Sequence, residues 1–455
     1  MARLDGGLCA VVWQGETGAT MADLDLTTHW AGIASLLLFV GAYVLVVLED
    51  TVRMRKSAPV MLAAGLIWVL IGVAFTMNGH PGVAQERALH VIEEYGELFL
   101  FLLVAITYVN TLEERRAFEV LRAALVGLGL SYRQLFLLTG VIAFFLSAVL
   151  DNLTTALVMG AVVLALGREA DGRSGPRFVT LSCISVVVAA NAGGAFSPFG
   201  DITTLMVWQK GKLGFFAFFD LFLPALINWV VPAACMYLAV PVARPEAHDQ
   251  PVTAKPGMWG VVLLFALTIA TAVGFKNFLT LPPALGMMLG LGYLQVFSFF
   301  LSRAVDEDMV LDSFAQVQKV EWDTLLFFFG IIFAVGGLGV LGYLALASQA
   351  LYIGLGPTFA NIIIGLLSAI VDNIPLMFAV LTMDPAMSDG QWLLITLTCG
   401  VGGSILSIGS AAGVALMGQA RGIYSFGSHL RWSPAVVLGY VAAVGVHLWL
   451  NAGLF

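Results

Sequence analysis

The chain has 455 residues, of which 60% are hydrophobic and only 11% charged, with a net charge of −8. A soluble protein carries about 25% charged residues, so the composition excludes a soluble fold and makes the lipid bilayer the first expected partner. The acidic balance argues against nucleic acid, and the four cysteines and six histidines are dispersed without metal-ligand spacing, so no cofactor is expected.

Residues 1–29 form a polar N-terminal extension; its apolar run at 8–13 is too short for a secretory signal, and Met21 is an alternative start. Membrane segments are predicted at 30–48, 60–77, 97–109, 215–240, 259–273, 284–300, 325–346 and 434–454, mostly near the ~20 residues that cross a ~30 Å hydrocarbon core. The loop after the first segment carries Arg53, Arg55 and Lys56. The positive-inside bias makes it cytoplasmic and puts both chain termini outside. The basic cluster Arg115, Arg116, Arg122 and Arg133 then falls inside as well. Residues 113–130 read as an interfacial helix.

The stretch 134–167 has 34 residues and one charge, Asp151, with arginines flanking both ends. A single straight helix of that length would run about 50 Å, too long for the bilayer. A hairpin that enters and leaves on the cytoplasmic side, with Asp151-Asn152 at its tip, satisfies length and charge together. LSAVLDN (146–152) recurs as LSAIVDN (367–373), identical at five of seven positions, inside a second apolar stretch, 352–383, whose only charge is Asp372. Its flanks carry no Lys or Arg, so this hairpin is expected to open outward.

Each hairpin is followed by a glycine-rich apolar stretch. The first, 178–209, is centred on NAGGAFSPFGDITT and has Asp201 as its only charge; the second, 391–420, is centred on GVGGSILSIGSAAG and has none. Gly193-Gly194 corresponds to Gly402-Gly403, and Gly200 to Gly409. A weaker correspondence pairs Glu97 before LFLFLLVA with Asp323 before LLFFFGIIFAV. The predicted fold is therefore an all-α polytopic membrane protein with about 11 transmembrane segments and two re-entrant hairpins, in two inverted repeats with unwound helices. Repeat 1 covers 91–242 and repeat 2 covers 321–455. Scaffold helices occupy 30–90 and 258–320, and the polar segment 243–257 is the linker. The run 303–323 reads as an amphipathic surface helix.

Unwound backbone is tolerated in a bilayer only where it is buried in protein or lines a wet cavity. The residues expected to bind cation and proton there are Asp151, Asn152, Thr154, Asn191, Asp201, Thr203, Thr204, Asp372, Asn373, Ser404, Ser407 and Ser410. Na+ is expected at Asp151, Asn152, Asp201, Asp372 and Asn373, with Glu97 and Asp323 as auxiliary charges near span ends. An intramembrane carboxylate costs about 2.5–3.5 kcal/mol on insertion scales. With no Lys or Arg at 178–209 or 352–420, the three aspartates call for a bound cation or proton. Oxygen ligands suit a hard cation. Competition of cation and proton for one site would give exchange.

At these residues the sequence resembles the NhaD-type Na+/H+ antiporters of the ion transporter superfamily, through SAVLDNLTT, NAGGAFSPFGDITT, SAIVDNIP, GGSILSIGSAAG and EWDTLLFFFG, from about residue 30 to the C-terminus. The resemblance implies a homodimer in the bacterial inner membrane that exchanges Na+ or Li+ for H+, with a scaffold domain and a moving transport domain. The rival from the same superfamily is a Na+-coupled dicarboxylate or anion symporter, which needs a neutral or basic site. No enzymatic activity is expected. An intramembrane aspartyl protease would explain Phe199-Gly200-Asp201, but Pro198 stands where its motif has glycine, and the duplicated Asp-Asn tips would have no role. A channel fits poorly with paired hairpins.

Overall fold

A computed structural model of the chain describes residues 25–47, 49–52, 54–168, 174–244, 252–305 and 309–455. Most of the N-terminal extension and the centre of the predicted linker lie outside these residues. Every regular element among them is helical. The first group is α1 (Trp30–Val47), α2 (Glu49–Val52), α3 (Ser57–Met77), α4 (Val83–Glu114) and α5 (Ala117–Gly127). The first helix pair, α6 (Tyr132–Ser147) and α7 (Asn152–Arg168), leads into α8 (Ser174–Ala195), α9 (Ile202–Gln209) and α10 (Phe222–Tyr237). Next come α11 (Met258–Leu279), α12 (Pro283–Leu301), α13 (Ser313–Gln318), α14 (Trp322–Val340) and α15 (Tyr343–Ser348). The second pair, α16 (Pro357–Leu367) and α17 (Asn373–Met383), leads into α18 (Asp389–Gly402), α19 (Ala411–Gln419), α20 (Phe426–Leu430) and α21 (Ser433–Leu450).

Seven helical stretches among the described residues are long and apolar enough to cross a membrane: α3, α8, residues 215–237, α11, α12, α14 and α21. The predicted segment 325–346 does not run straight through. Helix α14 stops at Val340, Gly342 takes φ 98°, and the chain resumes as α15. Residues 343–353 then meet α16 at a bend of 119°. The predicted surface helix at 303–323 is also shorter than expected. Asp312 accepts hydrogen bonds from the backbone N–H groups of Phe314 and Ala315 and starts the six-residue α13 there.

The packing repeats. Helix α6 lies on α8 as α16 lies on α18, and α3 packs on α14 as α12 packs on α4. Glycine sets the crossings. A Cβ at Gly193 would come 2.0 Å from the Phe144 carbonyl oxygen, and a Cβ at Gly402 would come 1.9 Å from that of Gly365. These are equivalent positions of the two copies, each where the first helix of a pair crosses the helix behind it. Gly200 and Gly409 repeat the relation seven residues on, against the carbonyls of Ser147 and Ala369. Small residues permit such backbone approach between membrane helices.

Helices α6 and α7 run back on each other, with Tyr132 Oη donating to the Leu166 carbonyl across the open end of the pair. In the second pair Asn361 Nδ2 near the start of α16 donates to the Gln391 carbonyl in the first turn of α18. One end of the molecule carries Lys56, Arg115 and Arg122; the other carries Glu94, Lys210 and Asp384. Arg115, fully buried, ties the first end together by donating to the carbonyls of Pro256 (3.2 Å), Met309 (2.9 Å) and Val310 (3.1 Å). Read from sequence, Arg115 is only one of several loop charges. At the second end Lys210 pairs with Glu94, and Lys212 with Asp384 at 2.5 Å.

Candidate functional site

The break between α8 and α9 is where the buried polar groups meet. Asp201 has extended backbone (φ −144°, ψ 148°) and is the N-cap of α9, its Oδ1 accepting from the Thr203 backbone N–H at 2.9 Å. Anionic caps suit helix N-termini. Its Oδ2 accepts from Asn152 Nδ2 at 2.5 Å and from Asn373 Nδ2 at 3.0 Å. The two Asp-Asn tips, 221 residues apart in sequence, thus converge on one buried carboxylate. Ser147 Oγ orients Asn152 by donating to its Oδ1 at 2.8 Å.

The corresponding residue of the second break is Ser410. It holds nearly the same backbone angles (φ −140°, ψ 148°) as the N-cap of α19. The repeat thus carries its acid at one break and a neutral hydroxyl at the other. Thr204 Oγ1 satisfies the freed Ser197 carbonyl at 2.8 Å, as an unwound segment out of water requires. Asn191 Nδ2 donates to Ser404 Oγ at 2.8 Å, and its buried Oδ1 has no partner. Ser407 and Thr203 are buried behind these groups.

A cavity of about 480 Å³ reaches this centre. Asp151, Asn152, Thr154, Asn191, Asp201, Asp372, Asn373 and Ser410 line it, as do the charged Lys56, Glu113, Glu119 and Arg122. A second cavity, about 290 Å³, lies towards the other end and is lined by His90, Glu93, Glu94, Glu97, Gln209 and Lys210. Met206, Phe378 and Leu381 form its apolar wall.

The three aspartates line one cavity but do not form one ligand cluster; among the described residues no three acidic, histidine or cysteine side chains are grouped to hold a metal ion. Asp151 is turned to its own helix, accepting from the Thr154 N–H at 2.9 Å and from Thr154 Oγ1 at 2.6 Å. Asp372 makes no side-chain cap, and its backbone N–H donates to Tyr43 Oη at 3.0 Å. Asn152 and Asn373 each donate an amide N–H to Asp201, and the Asn152 oxygen accepts from Ser147. Of the five residues expected to share Na+, Asp201, Asn152 and Asn373 are hydrogen-bonded together, while Asp151 and Asp372 line the same cavity. Glu97 lies in the second cavity, and Asp323 accepts from Ser57 Oγ at 2.5 Å at the first end.

The expectation that the aspartates have no positive neighbour needs correction. Lys56, the N-cap residue of α3, lines the same cavity, its Nζ 4.9 Å from the centre of the Phe327 ring. Its charge is near enough to attract Asp372 and Glu321. Among the described residues, however, no basic group lies within ion-pair distance of Asp151, Asp201 or Asp372. Sequence reading also missed Ser147, Tyr43 and His429. Ser147 had a signal, since LSAVLDN and LSAIVDN share that serine. The other two reach the site only through the fold.

The sequence model of the citrate transporter family matches residues 29–400. The chain is 52% identical to the Na+/H+ antiporter NhaD of Alkalimonas amylolytica, over 99% of this chain and 97% of that protein. It is 51% identical to the Na+/H+ antiporter NhaD of Vibrio cholerae, over 94% of each. Sodium/proton antiporter 1 of Arabidopsis thaliana is 32% identical over 91% of this chain and 72% of its own length. With the paired Asp-Asn tips and both broken helices present, the chain belongs to the NhaD-type Na+/H+ antiporters, within the wider citrate transporter family.

Proposed function

We propose that the protein exchanges Na+ or Li+ for H+ across a bacterial inner membrane, as a homodimer, by competition of cation and proton for Asp201. The observation that carries the reading is the state of that carboxylate. It is buried, held by neutral N–H donors, and lines a cavity that is also lined by Asn191, whose buried oxygen has no partner. A buried anion without an ion partner takes up a proton or a cation. Around it, the Asn191 oxygen, the Ser410 hydroxyl and the further charge of Asp372 suit a hard cation such as Na+.

In this reading α6–α7 and α16–α17 are re-entrant hairpins among about 11 spans, and the end with Lys56, Arg115 and Arg122 is cytoplasmic. The larger cavity then faces the cytoplasm, and Met206, Phe378 and Leu381 close the path outward. Because Asn152 and Asn373 both hold Asp201, the hairpin tips and the break of α8–α9 would move as one body between inward-open and outward-open states. Protons compete with Na+, so the apparent KM for Na+ rises as pH falls.

An anion symporter would have to bring its substrate past acids. The basic groups on the cavity wall are Lys56 and Arg122, neither of them in contact with Asp201. The test is the collapse of an imposed ΔpH in proteoliposomes on adding Na+, Li+ or K+, beside counterflow of labelled citrate and succinate. Dequenching with Na+ and Li+ and no anion counterflow is the expected result. Counterflow without ΔpH collapse would replace exchange with symport.

A further inference from the structure

The two breaks are braced differently. In the first, Thr204 of the same segment caps the Ser197 carbonyl. In the second, the carbonyls of Ser404 and Ile405 are held from outside. His429 Nε2 lies 2.9 Å from the Ser404 oxygen, and Ser433 Oγ donates to the Ile405 oxygen at 2.6 Å. His429 is fully buried, and its Nδ1 lies 2.7 Å from Tyr424 Oη, also buried. A carbonyl oxygen can only accept, so Nε2 carries the proton. In the neutral ring Nδ1 then accepts from the tyrosine hydroxyl, which fixes the tautomer. Beyond Ser404 the chain of contacts continues: Ser404 Oγ accepts from Asn191 Nδ2, and this leaves the Asn191 oxygen as the free acceptor of a residue that lines the cavity.

We propose that His429 is a positioning residue for cation binding: through Ser404 it holds the unwound segment 403–410 and so aims the Asn191 oxygen at the cation. The inference rests on the exchange reading above and adds to it a residue outside both breaks. Of the two hydrogen bonds that His429 makes, the one from Nε2 does the holding. The one at Nδ1 sets which nitrogen donates.

Glutamine and asparagine separate these roles, because the glutamine amide N–H can stand where Nε2 does and the shorter asparagine amide cannot reach Ser404. In proteoliposomes, His429→Asn is expected to raise the apparent KM for Na+ about tenfold, the weight of one hydrogen bond, with little change in the maximal rate. His429→Gln stays within about twofold of the parent by the same scale. Tyr424→Phe, which removes one hydroxyl, is expected to raise KM about threefold on the same scale, and it tests the proposal should His429→Asn fail to fold. An unchanged KM in Tyr424→Phe and in any folded His429→Asn overturns the proposal, as does an equal rise in KM for His429→Asn and His429→Gln. The parent protein in the same vesicles reports exchange itself, so loss of the exchange reading and loss of this one are told apart.

Discussion

Replacing Asp201 by asparagine is expected to abolish exchange while leaving a folded protein. The carboxylate accepts from the Asn152 and Asn373 amides and from the Thr203 backbone N–H. An asparagine keeps the size and one acceptor oxygen, so the N-cap of α9 survives, since Asn and Asp cap about equally well. It loses one acceptor for the Asn152 and Asn373 amides and, above all, the charge and the capacity to hold a proton, the two properties that exchange needs. The rate of ΔpH collapse with Na+ should fall more than about a hundredfold, two steps of ~1.4 kcal/mol each, to the level of empty vesicles. The same change at Asp151 should do far less. Asp151 serves its own helix through Thr154, and asparagine can cap there as well, so activity should stay within about tenfold of the parent, one such step. Asp372→Asn should fall between them, because that acid lines the cavity without contacting Asp201. Equal losses in all three, or full activity in Asp201→Asn, would contradict the placement of the site.

The largest effect on the fold is expected at Gly402. A Cβ there would meet the Gly365 carbonyl oxygen at 1.9 Å and its carbon at 2.9 Å. Both are backbone atoms, so no rotamer change relieves the clash, and α18 must move away from α16. Overpacking of this kind costs about 3 kcal/mol or more, a large share of the stability of most domains. Gly402→Ala should lower the yield of monodisperse protein in detergent and lower its melting temperature. Gly72→Ala is the control, since nothing lies within 4 Å of its added methyl, and it should behave as the parent. Equal melting of the two variants would remove glycine contact as the reason the repeats pack alike.

Much of this was legible in the sequence because it is written in length and charge. The stretch 134–167 is too long for one span and has the same charge at both ends, and α6 and α7 run back on each other there. The repeated LSAxxDN heptad announced two equivalent tips. Direction is not written in hydropathy, however. The segment 325–346 is apolar throughout, and only the positive φ at Gly342 breaks it. The roles of the asparagines were likewise hidden. Asn152 and Asn373 read as oxygen ligands, and only the fold shows that their N–H groups meet on a single carboxylate. Lys56, His429 and Arg115 act on groups far along the chain, in the last two cases on backbone carbonyls, which carry no side-chain signature for a sequence to display.

Cation and proton cannot occupy Asp201 together if they compete for it, and this can be measured directly. Na+ or Li+ added to the purified parent protein in weakly buffered detergent solution should release protons, and the same addition to Asp201→Asn should release none. Binding of Na+ to the parent, seen by calorimetry, without any proton release would contradict the account.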